Sequence, residues 1–519
     1  MSKHNWIGER VLRTESSRGT VLLTADETLM SDYHHNEFLG FGTCAPSNFV
    51  PDWLYRFLFF PSIRTKDGVP NAAPYGLRKV EAQLLSEGFD VLTVVPSDLR
   101  RYIDAAQVLG IYVMDPFGLG PASSTFASVL KREPFLARCF RLLLNRPEVR
   151  EAKSRGLNII LGGPGVWQFR HRPKFVEKYG IDCIISGEAE GVVGKIFRSA
   201  LNGERLPQYY EVGIDETPRL EEIPDIAKAS VNGLVEIGRG CVRSCRFCSV
   251  TLRPLRWFSL EKILREINVN IRVGQINWVC LHSEDVMLYG SSNTLPNDEK
   301  VIKLHELVGK KCTGICWSHS SVASVLAKPE LFSKVAEIVL QKQPWWGVEI
   351  GIETGSSRLA KKLMPAKTHP FKAKEWPEIV YQGMGLMHDH NLIPACTLMV
   401  GVPDETEEDL IETIELVEDL KSFRSLIVPL FFVPMGRLSH EDWFKETEMN
   451  ELHRELLGRC LEHDLYWIDR LIGLGFTGKW YRGILRLLYK VFVSVVKFNV
   501  RREGILSSEL YHQRRFTVP

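Results

Sequence analysis

No sign of charge dominates this chain: 65 Lys and Arg stand against 63 Asp and Glu in 519 residues, a formal net charge of +2. That balance argues against a general polyanion binder. No RNA-binding module is appended and no strong basic tract precedes the C-terminus, so no stable nucleic-acid partner is expected. A secretory pattern is also missing, because Met1-Ser2-Lys3-His4-Asn5-Trp6 leads into polar sequence. Cysteine is scarce and odd in number, 11 residues, which weakens any complete disulfide framework. Reduced thiols fit the cytosol, and a cytoplasmic location is expected. No internal repeat and no low-complexity tract stands out.

Against that background three cysteines fall close together, Cys241, Cys245 and Cys248, in the run Gly238-Arg239-Gly240-Cys241-Val242-Arg243-Ser244-Cys245-Arg246-Phe247-Cys248. Thiolates at this spacing hold a soft metal centre on three corners and leave a fourth open. A closed zinc site normally needs a fourth ligand, often from a second Cys-x2-Cys pair. The next cysteine, Cys280, is alone in an apolar strand candidate, and Cys312 and Cys316 form a separate pair read as buried structural thiols. A [4Fe–4S] cluster with one uncapped iron explains a glycine-flanked loop directly after residues 235–237 better than zinc does. A fourth protein ligand from a distant segment would instead make this a structural metal-cluster interaction protein.

With 45% apolar and 25% charged residues, a globular protein of two or three domains is expected. Residues 1–69 read as an irregular, aromatic-rich N-terminal extension. Over 70–205 a helix at 77–87, closed by Gly88, leads into strand candidates at 90–95, 110–114, 157–161 and 183–185. They run into Asp115-Pro116-Phe117-Gly118-Leu119-Gly120-Pro121, Gly162-Gly163-Pro164-Gly165 and Ser186-Gly187-Glu188. This pattern predicts an α/β, Rossmann-like domain, a doubly wound parallel sheet with ligands beyond the C-terminal strand ends. A partner-docking domain without a cofactor is the competing reading.

Pro207, Pro218 and Pro224 mark 206–231 as a linker. A second α/β run, 232–435, has strand candidates at 278–281, 314–317, 347–351, 395–399 and 426–432, with helices at 259–269 and 407–420. It predicts a full or partial (β/α) barrel whose strand-end loops carry the site. Glu407, Glu408 and Asp409 suit the first turn of the later helix. Residues 436–519 look mostly helical. Within them 484–500 is broken by Arg486, Lys490 and Lys497, too interrupted for a membrane span. It reads as a core-packing helix with snorkelling cations. The alternative is peripheral contact at the inner membrane face, with Lys479, Arg482, Arg486 and Lys490 over anionic headgroups.

The Cys-x3-Cys-x2-Cys spacing, with the aromatic Phe247 before the last cysteine, resembles the signature of the radical S-adenosylmethionine family. The resemblance extends over about residues 232–435. Glu284, in Leu281-His282-Ser283-Glu284-Asp285, occupies the strand-end position that the resemblance implies helps bind the methionine amino group. Glu353, in Ile350-Gly351-Ile352-Glu353-Thr354-Gly355-Ser356, resembles the acid that contacts ribose or methionine, with Ser356 beside it. The run Gly401-Val402-Pro403-Asp404-Glu405-Thr406 resembles the strand–Gly-x-Pro–helix feature beside the adenine. The resemblance implies that Cys241, Cys245 and Cys248 bind three irons while S-adenosylmethionine binds the fourth. An electron from a donor such as ferredoxin or flavodoxin then breaks the S–C5′ bond. The resulting 5′-deoxyadenosyl radical takes hydrogen from carbon that has no acidic proton, an anaerobic chemistry. Arg243 and Arg246 read either as surface residues or as charge balance and donor contacts.

The first α/β run is similar to the cobalamin-binding domain often fused before such a barrel. That resemblance rests on Gly88, residues 115–121, Gly162-Gly163-Pro164 and Ser186-Gly187-Glu188-Ala189-Glu190. It implies that Asp115, Gly118, Gly120, Gly162, Gly163, Gly187 and Glu188 line a cobalamin site. Ser123, Ser124 and Thr125 either bond the corrin or its nucleotide tail or serve as helix caps. The family's Asp-x-His-x-x-Gly motif is missing, since Val95-Pro96-Ser97-Asp98-Leu99-Arg100-Arg101 has no central histidine, so no lower axial histidine is expected. The implied activity is cobalamin-dependent C-methylation of an unactivated carbon, one S-adenosylmethionine supplying the radical and a second remethylating the cobalamin. Such chemistry needs no general base, and no acid–base dyad is evident. The implied substrate is a protein side chain, as in methyl-coenzyme M reductase, or a lipid. Without methyl transfer, lipid cyclisation or carbon–carbon coupling is implied.

Overall fold

A computed structural model describes residues 20–47, 50–475 and 480–502. The Met1–Trp6 run and Lys479 lie outside them, as does the side chain of Arg482. The chain divides into two units, one ending at Ser31 and resuming over Ser62–Phe117 and Leu136–Val231, the other taking Asp32–Pro61, Gly118–Phe135 and the chain from Asn232.

The main sheet of the first unit contains β1 (Val21–Ala25), β2 (Val91–Thr93), β3 (Val108–Tyr112), β4 (Asn158–Gly162), β5 (Cys183–Ser186) and β6 (Tyr209–Glu211). Its order is β2-β1-β3-β4-β5-β6, and every neighbouring pair is parallel. Parallel strands are covered on both faces, so they read as continuous apolar runs such as Val-Leu-Leu-Thr-Ala rather than as alternation. The order reverses between β1 and β3, which puts a ligand crevice beyond their carboxyl ends.

Two sequence readings change here. The 1–69 extension contains β1, the second strand of the sheet, and the 206–231 linker contains the edge strand β6. That linker is also tied down along its length. Fully buried Arg78 pairs with Glu81 at 2.7 Å and donates from Nε to the Ala229 carbonyl at 2.9 Å. Lys79 donates to the Pro224 carbonyl at 3.0 Å, and Lys228 reaches Glu81 at 3.0 Å.

The second unit contains β7 (Leu234–Glu236), β8 (Trp278–His282), β9 (Gly314–Trp317), β10 (His319–Ser320), β11 (Trp346–Glu353), β12 (Leu392–Val400) and β13 (Leu426–Phe431). All pairings are parallel and in chain order. β9 and β10 are two halves of one strand that changes partner at Ser318. Its N–H donates to Leu281 while its carbonyl accepts from Glu349, both at 2.9 Å. Six successive strands with intervening helices thus make a partial barrel.

Alternation along these strands defines two faces. Val235, Val279, Leu281, Ile315, Val348, Ile350 and Leu398 are buried. Glu236, His282, Cys316, His319, Glu349 and Thr397 are only half-buried, giving the other face a polar lining. Two long helices follow, Glu451–Gly475 and Trp480–Arg502. Leu485, Tyr489 and Val493 of the last helix pack with Leu58 and Ile472. Among the described residues no helix is long and apolar enough to cross a membrane.

Candidate functional site

The three cysteines lie in the loop after β7, between the short strand Gly238–Arg239 and its antiparallel partner Arg256–Trp257. None of the chain's eleven cysteines forms a disulfide. Glycine sets the path of the loop at two places. Gly240 has φ +81°, and a Cβ there would strike the Pro254 carbonyl oxygen. Gly436 has φ +58°, and its Cβ would lie 2.8 Å from the Cys248 carbonyl oxygen. The Thr251 hydroxyl donates to the carbonyls of Cys248 at 2.8 Å and Cys245 at 3.2 Å.

Arg243, between two of the cysteines, is buried rather than at the surface. Its Nε and Nη2 donate to Asp285 Oδ2 at 3.1 and 2.9 Å, and Nη1 donates to the Lys367 carbonyl at 2.9 Å. Asp285 Oδ1 accepts from the Ser320 and Ser324 hydroxyls at 2.9 and 2.8 Å. Arg243 therefore clamps the cysteine loop to the exits of β8 and β10. Charge balance is the sequence reading its position fits. Half-buried Arg246 is tied through its backbone, donating to Leu363 at 2.9 Å and accepting from Arg437 at 2.8 Å.

Burial pushes the Cys241 thiol up to about 12 and the Cys245 thiol up to about 11, and raises Cys248 as well. Thiols placed this way stay protonated until a metal takes them, so loading releases protons. Among the described residues no three His, Cys, Asp or Glu side chains converge on a single-ion site. A cubane asks for something else, each thiolate on a separate iron. Three free thiols on one glycine-fixed loop fit such a cluster.

Across the strand ends, β11 passes a register irregularity between Gly351 and Glu353. Glu353 has φ +69°, a costly conformation for a residue with a Cβ. Lys367 Nζ holds it there through Oε1 at 2.6 Å, and the Thr397 hydroxyl donates to Oε2 at 3.3 Å. Burial opposes the Lys367 charge, but Glu353 and Cys245 outweigh it and raise the ammonium pKa. The sequence reading found Glu353 and missed Lys367, which lies in Met364-Pro365-Ala366-Lys367 with no local motif around it.

Glu284 leaves β8 half-buried, and its charge acts on Cys241 and Cys248. Beside it the His282 and His319 rings meet edge-on at 6.0 Å. His319 Nε2 pairs with Glu349 at 3.0 Å, while the buried Nδ1 atoms of both histidines have no partner. Burial pulls the His319 pKa down, but the Glu349 charge and hydrogen bond outweigh it and hold the ring up at about 9. Burial lowers His282. The His319–Glu349 ion pair and its contact with His282, absent from the sequence reading, are thus assembled by the fold. Their only linear signal was polar residues spaced by two in apolar strands. Cys280 faces Cys316 in register across β8 and β9, so the neighbouring thiols are these and not Cys312 with Cys316.

Other expected residues have local duties. Ser356 caps the helix Ser357–Leu363, and its hydroxyl donates to Asp409 at 2.5 Å, so the fold already occupies it. Asp409 also pairs with Arg358 and closes a capping box with Thr406. Gly401, at φ +76°, donates its N–H to Glu405 at 2.9 Å and leads into the turn containing Pro403. Phe247 packs against Leu359, Leu363, Val402, Phe432 and Leu438.

In the first unit Asp115 accepts from Gln168 Nε2 at 2.5 Å, and Gln168 Oε1 accepts from the Phe117 N–H at 3.0 Å. This joins the loops after β3 and β4. A side chain at Gly162 would meet open space, the room a bulky cofactor needs at the end of β4. Gly163 and Gly187 have φ of 116° and 121°, and Glu188 is buried. Sequence reading missed Asp26 at the end of β1, whose carboxyl burial raises to about 7 although Thr28 hydrogen-bonds it. In the second unit Gly118 has φ of 65° and Gly120 is the N-cap of Pro121–Leu130. The Ser124 hydroxyl donates to Pro121 at 3.1 Å, and the fully buried Ser123 hydroxyl has no partner.

The model of the radical SAM superfamily matches residues 235–417, a stretch holding all three cysteines, Glu284, Glu353 and Gly401-Val402-Pro403. Residues 235–417 are a radical SAM domain. Relatives of this chain include the tRNA-2-methylthio-N(6)-dimethylallyladenosine synthase of Thermotoga petrophila, 26% identical over 336 residues, 64% of this chain and 71% of that protein. Another is the ribosomal protein uS12 methylthiotransferase RimO of Pseudothermotoga lettingae, 26% identical over 221 residues, 40% of this chain and 47% of that protein. Among solved structures, the radical S-adenosylmethionine methyltransferase TsrM from Kitasatospora setae, with cobalamin and a [4Fe-4S] cluster bound, has a similar fold. Its TM-score is 0.51 at 14% identity, covering 81% of this chain and 74% of TsrM.

Proposed function

We propose that this protein is a cobalamin-dependent radical SAM C-methyltransferase acting on an unactivated carbon of a protein side chain or a lipid. The observation that carries this reading is the free Cys241, Cys245 and Cys248 loop of a radical SAM domain, joined in one chain to a six-stranded doubly wound sheet. When bound, the cluster and S-adenosylmethionine supply a radical able to take hydrogen from such a carbon, and cobalamin supplies the methyl group. Cys241, Cys245 and Cys248 hold three irons, and Arg243 fixes their loop through Asp285. Glu284 receives the methionine amino group. Glu353, set in place by Lys367 and Thr397, receives the ribose or methionine portion, and Gly401 and Pro403 run beside the adenine. In the first unit Asp115, Gly162, Gly163, Gly187 and Glu188 receive cobalamin without a lower axial histidine. His319, kept charged by Glu349, offers a hydrogen-bond donor on the polar face of the barrel.

A second reading, methylthiolation, is favoured by the names of the curated relatives. Anaerobic reconstitution with iron, sulfide, cobalamin and methyl-labelled S-adenosylmethionine, reduced with dithionite in the presence of protein and lipid extracts, separates the readings. Methyl transfer yields 5′-deoxyadenosine, S-adenosylhomocysteine and a product heavier by one labelled methyl. A product that also gains sulfur indicates methylthiolation. Deoxyadenosine without S-adenosylhomocysteine indicates cyclisation or coupling, and neither nucleoside product indicates a structural cluster.

A further inference from the structure

We propose that the helix Trp480–Arg502 rests on the surface of an anionic lipid bilayer, assisted by the short helix Asp52–Phe59. The last helix has two apolar faces of different fates. Leu485, Tyr489 and Val493 form the face packed on Leu58 and Ile472, and the Tyr489 hydroxyl donates to the Leu58 carbonyl. A second stripe, Ile484, Leu487, Val491 and Phe498, is left 51%, 62%, 53% and 66% exposed. At 3.6 residues per turn these four positions fall within one narrow arc, on the side away from the packed face. Core packing therefore leaves Ile484, Leu487, Val491 and Phe498 unexplained. The neighbouring helix adds Trp53, 68% exposed, and Phe57, 45% exposed, the aromatic type that settles at a bilayer interface.

Charge decides what covers this stripe. From 480 to 502 the sequence carries Arg482, Arg486, Lys490, Lys497, Arg501 and Arg502 and no Asp or Glu. Arg486 and Lys490 are exposed and lie along one side of the apolar arc, whereas Lys497 pairs with Asp469. A second copy of the chain would bring the same cations against themselves, and an ordinary apolar protein face does not call for a helix without acids. An anionic headgroup layer over acyl chains matches both features. The helix does not meet the requirement for a membrane span, so it lies in the interface plane. This surface is independent of the chemistry at the cysteine loop.

The test is co-sedimentation of the full chain with phosphatidylcholine vesicles and with vesicles of phosphatidylglycerol and phosphatidylcholine. At least about tenfold stronger binding to the anionic vesicles is expected, weakening at high salt. Leu487→Glu with Val491→Glu, both at exposed positions, should lower that binding at least about tenfold while leaving the far-UV circular dichroism unchanged. Arg486→Glu with Lys490→Glu should abolish the preference for anionic vesicles. Equal binding by the wild type and the Leu487/Val491 variant overturns the proposal, as does no binding by a wild type that is folded. A solution dimer that the Leu487/Val491 variant disperses also overturns it, because a second copy then covers the stripe.

Discussion

Replacing Arg243 by Met tests whether a buried ion pair holds the cysteine loop in place. Methionine keeps part of the aliphatic stem and removes the guanidinium. The 3.1 and 2.9 Å bonds to Asp285 and the 2.9 Å bond to the Lys367 carbonyl go with it. Asp285 retains the hydroxyls of Ser320 and Ser324 but loses its counter-charge at a site where both side chains are 3% exposed. Removing one member of such a pair costs about 3–5 kcal/mol, and burial this deep leaves little solvent screening to reduce it. Arg243→Met combined with Asp285→Asn leaves no lone charge and should recover most of the loss, since replacing both partners is often near neutral. Denaturant unfolding followed by tryptophan fluorescence reads the stability, and iron analysis after anaerobic reconstitution reads the loop. The single variant should unfold earlier and bind less iron. Stability within about 1 kcal/mol of wild type at full iron content would refute the reasoning, as would a double variant no better than the single one.

Other perturbations probe separate parts of the account. Gly436→Ala places a Cβ 2.8 Å from the Cys248 carbonyl at φ +58°. It should reduce iron incorporation without removing a ligand, and unchanged iron content counts against the packing argument. Lys367→Met strips the buried Glu353 of its partner at 2.6 Å. Calorimetric titration with S-adenosylmethionine should show weaker binding to this variant than to wild type. Buried His305 donates from Nδ1 to Val301 and accepts from Trp317 Nε1 at 2.9 Å, and burial lowers its pKa from 6.5 to about 4. Its contribution is therefore present above pH 6.5 and lost as pH falls towards 4, at most roughly 3 kcal/mol. His305→Gln should flatten that acid limb in a stability-against-pH series. His319 has the opposite sign, since its pKa is raised to about 9. Its pairing with Glu349 is fully present below pH 6.5 and fades as pH rises through 9, and Glu349→Gln should remove that alkaline sensitivity.

The barrel strands were legible in the sequence because each is a short apolar run between helical stretches, and the cysteine loop because its ligands are local. β1 was missed because the run Val-Leu-Leu-Thr-Ala carries no alternation and follows a long irregular segment. β6 was missed because Tyr209-Tyr210-Glu211 is short, and edge pairing rather than an apolar pattern makes it a strand. The supporting side chains were invisible for a different reason. Arg243 meets Asp285 and His319 meets Glu349 only after strands distant in sequence are placed in register, and Lys367 meets Glu353 only after the chain turns back beyond the helix Ser357–Leu363. Ser356 shows the reverse, since its motif position drew attention while its hydroxyl serves Asp409 and a helix cap.

Mössbauer spectroscopy of the iron-57-reconstituted full chain, with and without S-adenosylmethionine, tests the central claim most directly. Cys241, Cys245 and Cys248 bind three irons in this account, so adding S-adenosylmethionine should change the signal of one iron in four and leave the others. Four equivalent irons that do not respond, or a cluster that persists after all three cysteines are replaced by alanine, would contradict it.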